Sequence, residues 1–317
     1  MKKGLRLAGL IVSLLAAAYF ARFAYQTLST QDLDNFRDPR LLGAVVLAAV
    51  ACFLIVPVSS WAWQGLLGSL SCTSSLLTLN AIMGVTQIGK YVPGNVAQHI
   101  GRSAWSLRRG IPSSALFISL AVEFLLAAAM AGLIGASALT MYLLPHGNSL
   151  HAHLPLLGLA AVTVLASVVG LTLAIKYIPQ LTRRFFPNGV THEIAPPSIR
   201  AMLRAALAYS ANYILIGISF FCIAKASGSN DSASPVLFVA AFSLSWLAGF
   251  VTPGAPAGLG IREAAMAAIL APFIEHSVAL SAIVAFRIAS TAGDLFSLLW
   301  GGIANLCARD SGDQSTT

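Results

Sequence analysis

Gly89-Lys-Tyr-Val-Pro-Gly-Asn-Val-Ala-Gln-His-Ile-Gly-Arg102 and Gly249-Phe-Val-Thr-Pro-Gly-Ala-Pro-Ala-Gly-Leu-Gly-Ile-Arg262 are two helix-breaking stretches set in very apolar sequence. An ungapped offset of 160 residues pairs Gly89 with Gly249, Pro93 with Pro253, Gly94 with Gly254, Ala97 with Ala257 and Arg102 with Arg262. It also pairs Ala104 with Ala264 and Pro112 with Pro272. Proline removes a backbone donor and glycine tolerates left-handed backbone, so each stretch interrupts a helix. Interrupted segments at corresponding places in two halves of a membrane chain point to a binding site between the halves.

The composition supports the membrane reading. Hydrophobic residues make up 57% of 317, charged residues only 9%, and mean hydropathy is +0.80. A soluble domain of this size carries far more surface charge. The formal charge of +8 is read as topology, with Lys and Arg gathered on the cytoplasmic side, and as attraction to anionic lipid headgroups. A nucleic-acid partner is excluded because no soluble module carries a basic patch. Cys52, Cys72, Cys222 and Cys307 are isolated, which argues against zinc and redox motifs. His146, His151 and His153 read as a solvated loop rather than a metal site.

A spanning helix needs about 20 apolar residues. Six runs are taken as spans: Leu5 to Ala21, Leu41 to Trp63, Ser113 to Leu144, Leu154 to Ile175, Ala205 to Ala224 and Val278 to Leu306. Leu76 to Ile88 and Pro235 to Phe250 are marginal and run into the two Pro-Gly stretches, so they are read as re-entrant hairpins. Ala264 to Phe273 is too short to cross alone. The expected fold is an all-α integral membrane bundle in one domain over 1–317: an N-terminal helix and loop (1–40), a first repeat (41–175), a second repeat (200–308) and a disordered tail (309–317). Positive-inside counting puts the N-terminus, with Lys2, Lys3 and Arg6, in the cytoplasm. The loop holding Arg102, Arg108 and Arg109 is then cytoplasmic, and the helices after the two motifs run in opposite directions. The repeat is therefore expected to be inverted.

The charged residues inside apolar sequence are the candidates for chemistry. A helix that restarts after Pro-Gly presents free N–H groups to an anion, and an arginine fork binds phosphate through two parallel bonds. Arg102 and Arg262 each follow their motif glycine by eight residues. For Arg102 a role as topology anchor stands beside headgroup binding; for Arg262 that alternative is weaker. Glu123, Arg287 and Asp294 lie within spans, where each charge costs roughly 2.5–3.5 kcal/mol at the bilayer centre. Arg287 and Asp294 are about 10.5 Å apart along a helix axis, too far to pair directly. Glu123 with Arg287 is the expected ion pair. No cofactor is expected, and the absence of Walker, nucleophile-elbow and HExxH motifs leaves no recognisable catalytic signature.

Gly89-Lys-Tyr-Val-Pro-Gly-Asn-Val96, Thr252-Pro-Gly-Ala-Pro-Ala-Gly-Leu-Gly-Ile-Arg-Glu263 and Phe286-Arg287-Ile288 resemble the signature stretches of the lysylphosphatidylglycerol synthase transmembrane, or flippase-like, family. The resemblance covers roughly Leu41 to Leu306. It implies movement of a phospholipid, hopanoid, aminoacyl lipid or lipid-linked glycan between leaflets of a bacterial plasma membrane. A lipid-biosynthesis enzyme is an implied partner. It marks Lys90, Pro93, Gly94, Pro253, Gly254, Gly258, Gly260, Arg262, Glu263 and Arg287 as functional positions. The chain departs from the pattern at Ala255-Pro256, and it carries no aminoacyl-transferase domain. Two rival readings stay open: a membrane transferase, and a scaffold subunit of a lipid-modifying complex.

Overall fold

Short polar caps set where the helices begin. The computed structural model describes residues 38–92, 97–144, 196–229, 234–252 and 256–313, with scattered helical positions between 158 and 180. In the continuous stretches the helices are α1 Pro39–Ser69, α2 Leu76–Thr86, α3 Ala97–Arg108, α4 Ser113–Leu143, α5 Ile199–Ala226, α6 Pro235–Val251, α7 Ile261–Leu270 and α8 His276–Asp313. Among the described residues there is no strand. Asp38, Ser75, Ser198 and Ser234 each accept a bond from a first-turn N–H of α1, α2, α5 and α6, satisfying a donor the helix leaves free. Pro39 and Pro235 occupy the first helical position, where a missing N–H costs nothing.

Length separates two kinds of helix. Among the described residues four are long and apolar enough to cross a membrane: Pro39–Ser69, Ser113–Leu143, Ile199–Ala226 and His276–Ala308. They coincide with four of the six expected spans; the expected span Leu5–Ala21 and most of Leu154–Ile175 lie outside the described residues. Their outer faces expose large apolar side chains, such as Leu42, Val46 and Val50 on α1, Leu203 and Leu207 on α5, and Leu295, Leu299 and Ile303 on α8. Such a surface belongs in lipid. The protein is an all-α integral membrane protein.

The other four helices are short. At about 1.5 Å per residue, α2 reaches about 16 Å and α6 about 25 Å, both less than the ~30 Å hydrocarbon layer. The chain doubles back after α2: a Cβ on Gly89 would lie 2.6 Å from the Gln98 nitrogen, so only glycine fits beside that backbone. α6 is buried on all sides, every residue from Leu237 to Ser245 being enclosed. A helix that is apolar all round needs this placement.

The element order recurs at the sequence offset. Adding 160 to α1 (39–69), α3 (97–108) and α4 (113–143) gives 199–229, 257–268 and 273–303, close to α5, α7 and α8. Packing recurs as well. α1 lies antiparallel on α5, with Ser59 against Asn212 and Gly65 against Arg204. α2 packs on α8 through Gly84 and Gly301, and α4 packs on α6 through Gly135 and Leu244. Small residues permit this closeness where lipid gives no hydrophobic drive between helices. The last helix corrects one expectation. It continues to Asp313, past Ala308 where a disordered tail was expected to start.

Candidate functional site

The charges that the sequence scatters over 200 residues come together around one cavity. It has a volume of about 230 Å³ and is lined from both halves. Lys90, Arg102, Glu123, Arg262, Glu263, Arg287 and Asp294 all reach it. Pro93, Gly94, Pro253 and Gly254 lie outside the described residues. Gly258 and Gly260 stand just before α7 and shape its start.

Three ion pairs organise these charges. Arg102 binds Glu123 through both terminal nitrogens, at 2.9 and 2.5 Å. Its guanidinium carbon lies over Trp63, 3.7 Å from the ring centre, and the Trp63 indole N–H donates to Ser119. Arg102 is only 5% exposed. Its guanidinium is thus enclosed and already paired with a carboxylate. Lys90 donates to Asp294 at 2.6 Å, and Tyr91 donates to the other carboxylate oxygen at 2.5 Å. These bonds tie the 3-10 turn Gln87–Tyr91 of the first half to α8 of the second. Arg287 stands 3.4 Å from Glu263. The contact is close enough for charge attraction but is not aligned as a hydrogen bond, and Arg287 NH2 and Glu263 Oε1 have no hydrogen-bond partner.

The expected Glu123–Arg287 pair is thus corrected. Glu123 is taken by Arg102, one helix earlier and 21 residues away in sequence. Helical spacing gave no hint of this, because the turn between α3 and α4 decides which residue of α3 meets Glu123.

Arg262 differs from the other cations. Among the described residues no carboxylate pairs with it, and its buried Nε has no hydrogen-bond partner. Its stem is held by glycines. A Cβ on Gly249 would lie 2.7 Å from Arg262 Cγ, and one on Gly258 would lie 2.6 Å from Nε. Ala257, Gly258 and Gly260 all have positive φ, at 51°, 70° and 81°. This left-handed run swings the chain around the guanidinium. Ala257 holds it at a cost of about 1–2 kcal/mol, because its Cβ crowds the carbonyl there. Strain of this kind gathers at functional sites. Glu263 closes the turn by accepting from the Gly260 N–H at 2.6 Å, which caps α7 and leaves its second oxygen toward Arg287.

Beside Arg262 the cavity wall is aromatic. Trp246 and Phe250, one turn apart on α6, stack at 5.1 Å, and Tyr213 meets Trp246 edge-on at 5.4 Å. Arg262 lies over Trp246 at 5.8 Å. Sequence reading gave none of these aromatics a role. The i, i+4 spacing of Trp246 and Phe250 just before the second motif was the available signal. Gly249 was visible as part of the repeat, but its work of making room for Arg262 appears only in the fold.

Overall, four cations face three carboxylates across the cavity. The Arg102–Glu123 and Lys90–Asp294 pairs are closed, so the surplus positive charge sits at Arg262 and Arg287. Such a site can take up one anionic group without expelling a partner. Among the described residues no cluster of three or more His, Cys, Asp and Glu side chains could hold a metal.

A family model described as the lysylphosphatidylglycerol synthase TM region matches residues 6–297 of the chain. No curated protein matches it.

Proposed function

Because the chain belongs to the lysylphosphatidylglycerol synthase TM family, we propose that it moves a lipid with an anionic headgroup between leaflets, through the cavity between its two halves. One observation carries this reading: Arg262 is a half-buried arginine on that cavity, seated in a glycine cradle, with a buried Nε that has no hydrogen-bond partner and no paired carboxylate among the described residues. A buried charge left unpaired is costly, and an arriving phosphate repays the cost with two parallel bonds. The three carboxylates are each drawn to a cation. That favours carriage over acid–base catalysis, which needs a carboxylate free to exchange its proton.

The two halves are proposed to be inverted in the membrane. The support is the antiparallel packing of α1 on α5, which are equivalent under the 160-residue offset. Alternating exposure then follows from rocking one half against the other. Lys2, Lys3 and Arg6 favour a cytoplasmic N-terminus.

Vesicles containing the protein and a headgroup-labelled phosphatidylglycerol test the transport reading. A membrane-impermeant reductant should bleach label that began in the inner leaflet. Inner-leaflet label that stays protected, as in protein-free vesicles, would overturn it. New lipid species found by mass spectrometry would favour a transferase instead. For the inverted arrangement, single cysteines in a cysteine-free chain at Gly110 and Pro272, the turns before α4 and α8, should react with an impermeant maleimide from opposite faces. Labelling of both from one face would contradict it.

A further inference from the structure

Two tryptophans of α1, Trp61 and Trp63, each carry an arginine over the ring, and among the described residues only one of those arginines has an anion. Arg102 lies 3.7 Å from the Trp63 ring and its fork is filled by Glu123. Arg204 of α5 lies 3.9 Å from the Trp61 ring. It makes no hydrogen bond or ion pair among the described residues, and its Nε is buried and unpartnered. Gly65 forms the bed for its stem: a Cβ there would lie 2.9 Å from Arg204 Cδ and 3.3 Å from Nε. The stack and the free donors are the parts of the Arg102 site with the carboxylate left out, and the glycine bed is an addition.

The surroundings tell what completes it. Trp61 is 44% exposed, and Leu203 and Leu207, flanking Arg204 on α5, are 59% and 70% exposed. Arg200, one turn earlier on α5 and exposed, adds a second cation on the same face. A free anion in water would gain nothing from that apolar surface. A molecule with both an anionic head and apolar chains matches both parts.

We propose that the outer face of the α1–α5 seam is a docking site for an anionic phospholipid, with the stacked Arg204 guanidinium as its phosphate ligand. The acyl chains lie along Leu203 and Leu207, and Arg200 supports the headgroup. The site is separate from the cavity and stands whether or not the cavity transports lipid. The Ser59–Asn212 hydrogen bond closes the same seam two turns farther along, on its inner side.

Native mass spectrometry of the full chain, titrated with phosphatidylglycerol or phosphatidylcholine, tests this. The measurement is made in an Arg262→Gln background to weaken the cavity's contribution, and the readout is the change that Arg204→Gln adds to that background. The anionic lipid should be preferred by about tenfold, the value of one charge-assisted hydrogen-bonded contact. Arg204→Gln should bring the preference close to parity. If Arg204→Gln is not recovered folded, Gly65→Ala, which displaces the Arg204 stem, should do the same. An unchanged preference in either variant would overturn the proposal. So would full competition by soluble glycerol phosphate, which would mean that the chains contribute nothing.

Discussion

The two halves carry an arginine at the same register, and the fold uses the two differently. Arg102 is stacked on Trp63 and closed by Glu123. Arg262, its counterpart 160 residues on, is cradled by Gly249 and Gly258 and pairs with no carboxylate among the described residues. The position equivalent to Glu123 is Ile283, so the second half lacks the residue that neutralises the first. A repeated motif thus need not carry a repeated role. One copy makes a fixed internal joint, and the other keeps an open charge on the cavity.

The first way to break this comparison is to remove the joint. Glu123→Ala strands the buried Arg102 charge and should cost about 3–5 kcal/mol of stability. Thermal unfolding in detergent would read this as a large fall in midpoint. Glu123→Gln with Arg102→Met, similar in volume and free of net charge, should recover most of the loss. A single Glu123→Ala as stable as the parent would mean that Arg102 is not structural.

The smallest expected effect comes from the cradle. Ala257→Gly relieves the positive φ and should raise stability by about 1 kcal/mol. Headgroup binding should weaken slightly if a rigid left-handed run is what places Arg262. A drop in stability would show that Ala257 packing outweighs its backbone strain.

Much of this arrangement was legible in the sequence, and the reasons differ by feature. The all-α membrane class and the four long apolar helices follow from hydropathy, which acts locally. Arg262 and Arg287 were legible because a charge in apolar sequence needs a reason. The ion pairs around the cavity were not. Glu123 lies 21 residues from Arg102, and Lys90 lies 204 from Asp294, so both pairs depend on how the helices meet. The roles of Gly249, Trp246 and Phe250 were hidden for the same reason: each acts through a neighbour that only the folded chain supplies. Arg102 shows the converse. Its cluster with Arg108 and Arg109 suggested a membrane-surface anchor, yet it is buried, while Arg109 is exposed and donates to Asn305.

The most direct test sets the two arginines against each other in one transport assay. Arg262→Gln should fold with near-parental stability, because no protein pair is lost, and should reduce inner-to-outer movement of labelled phosphatidylglycerol at least about tenfold, as expected for losing a charge-assisted phosphate contact. The paired Arg102→Met, Glu123→Gln protein, once folded, should retain most of that movement. Equal transport by Arg262→Gln and the parent, with loss confined to the Arg102 pair, would contradict the assignment of the open charge to the second half.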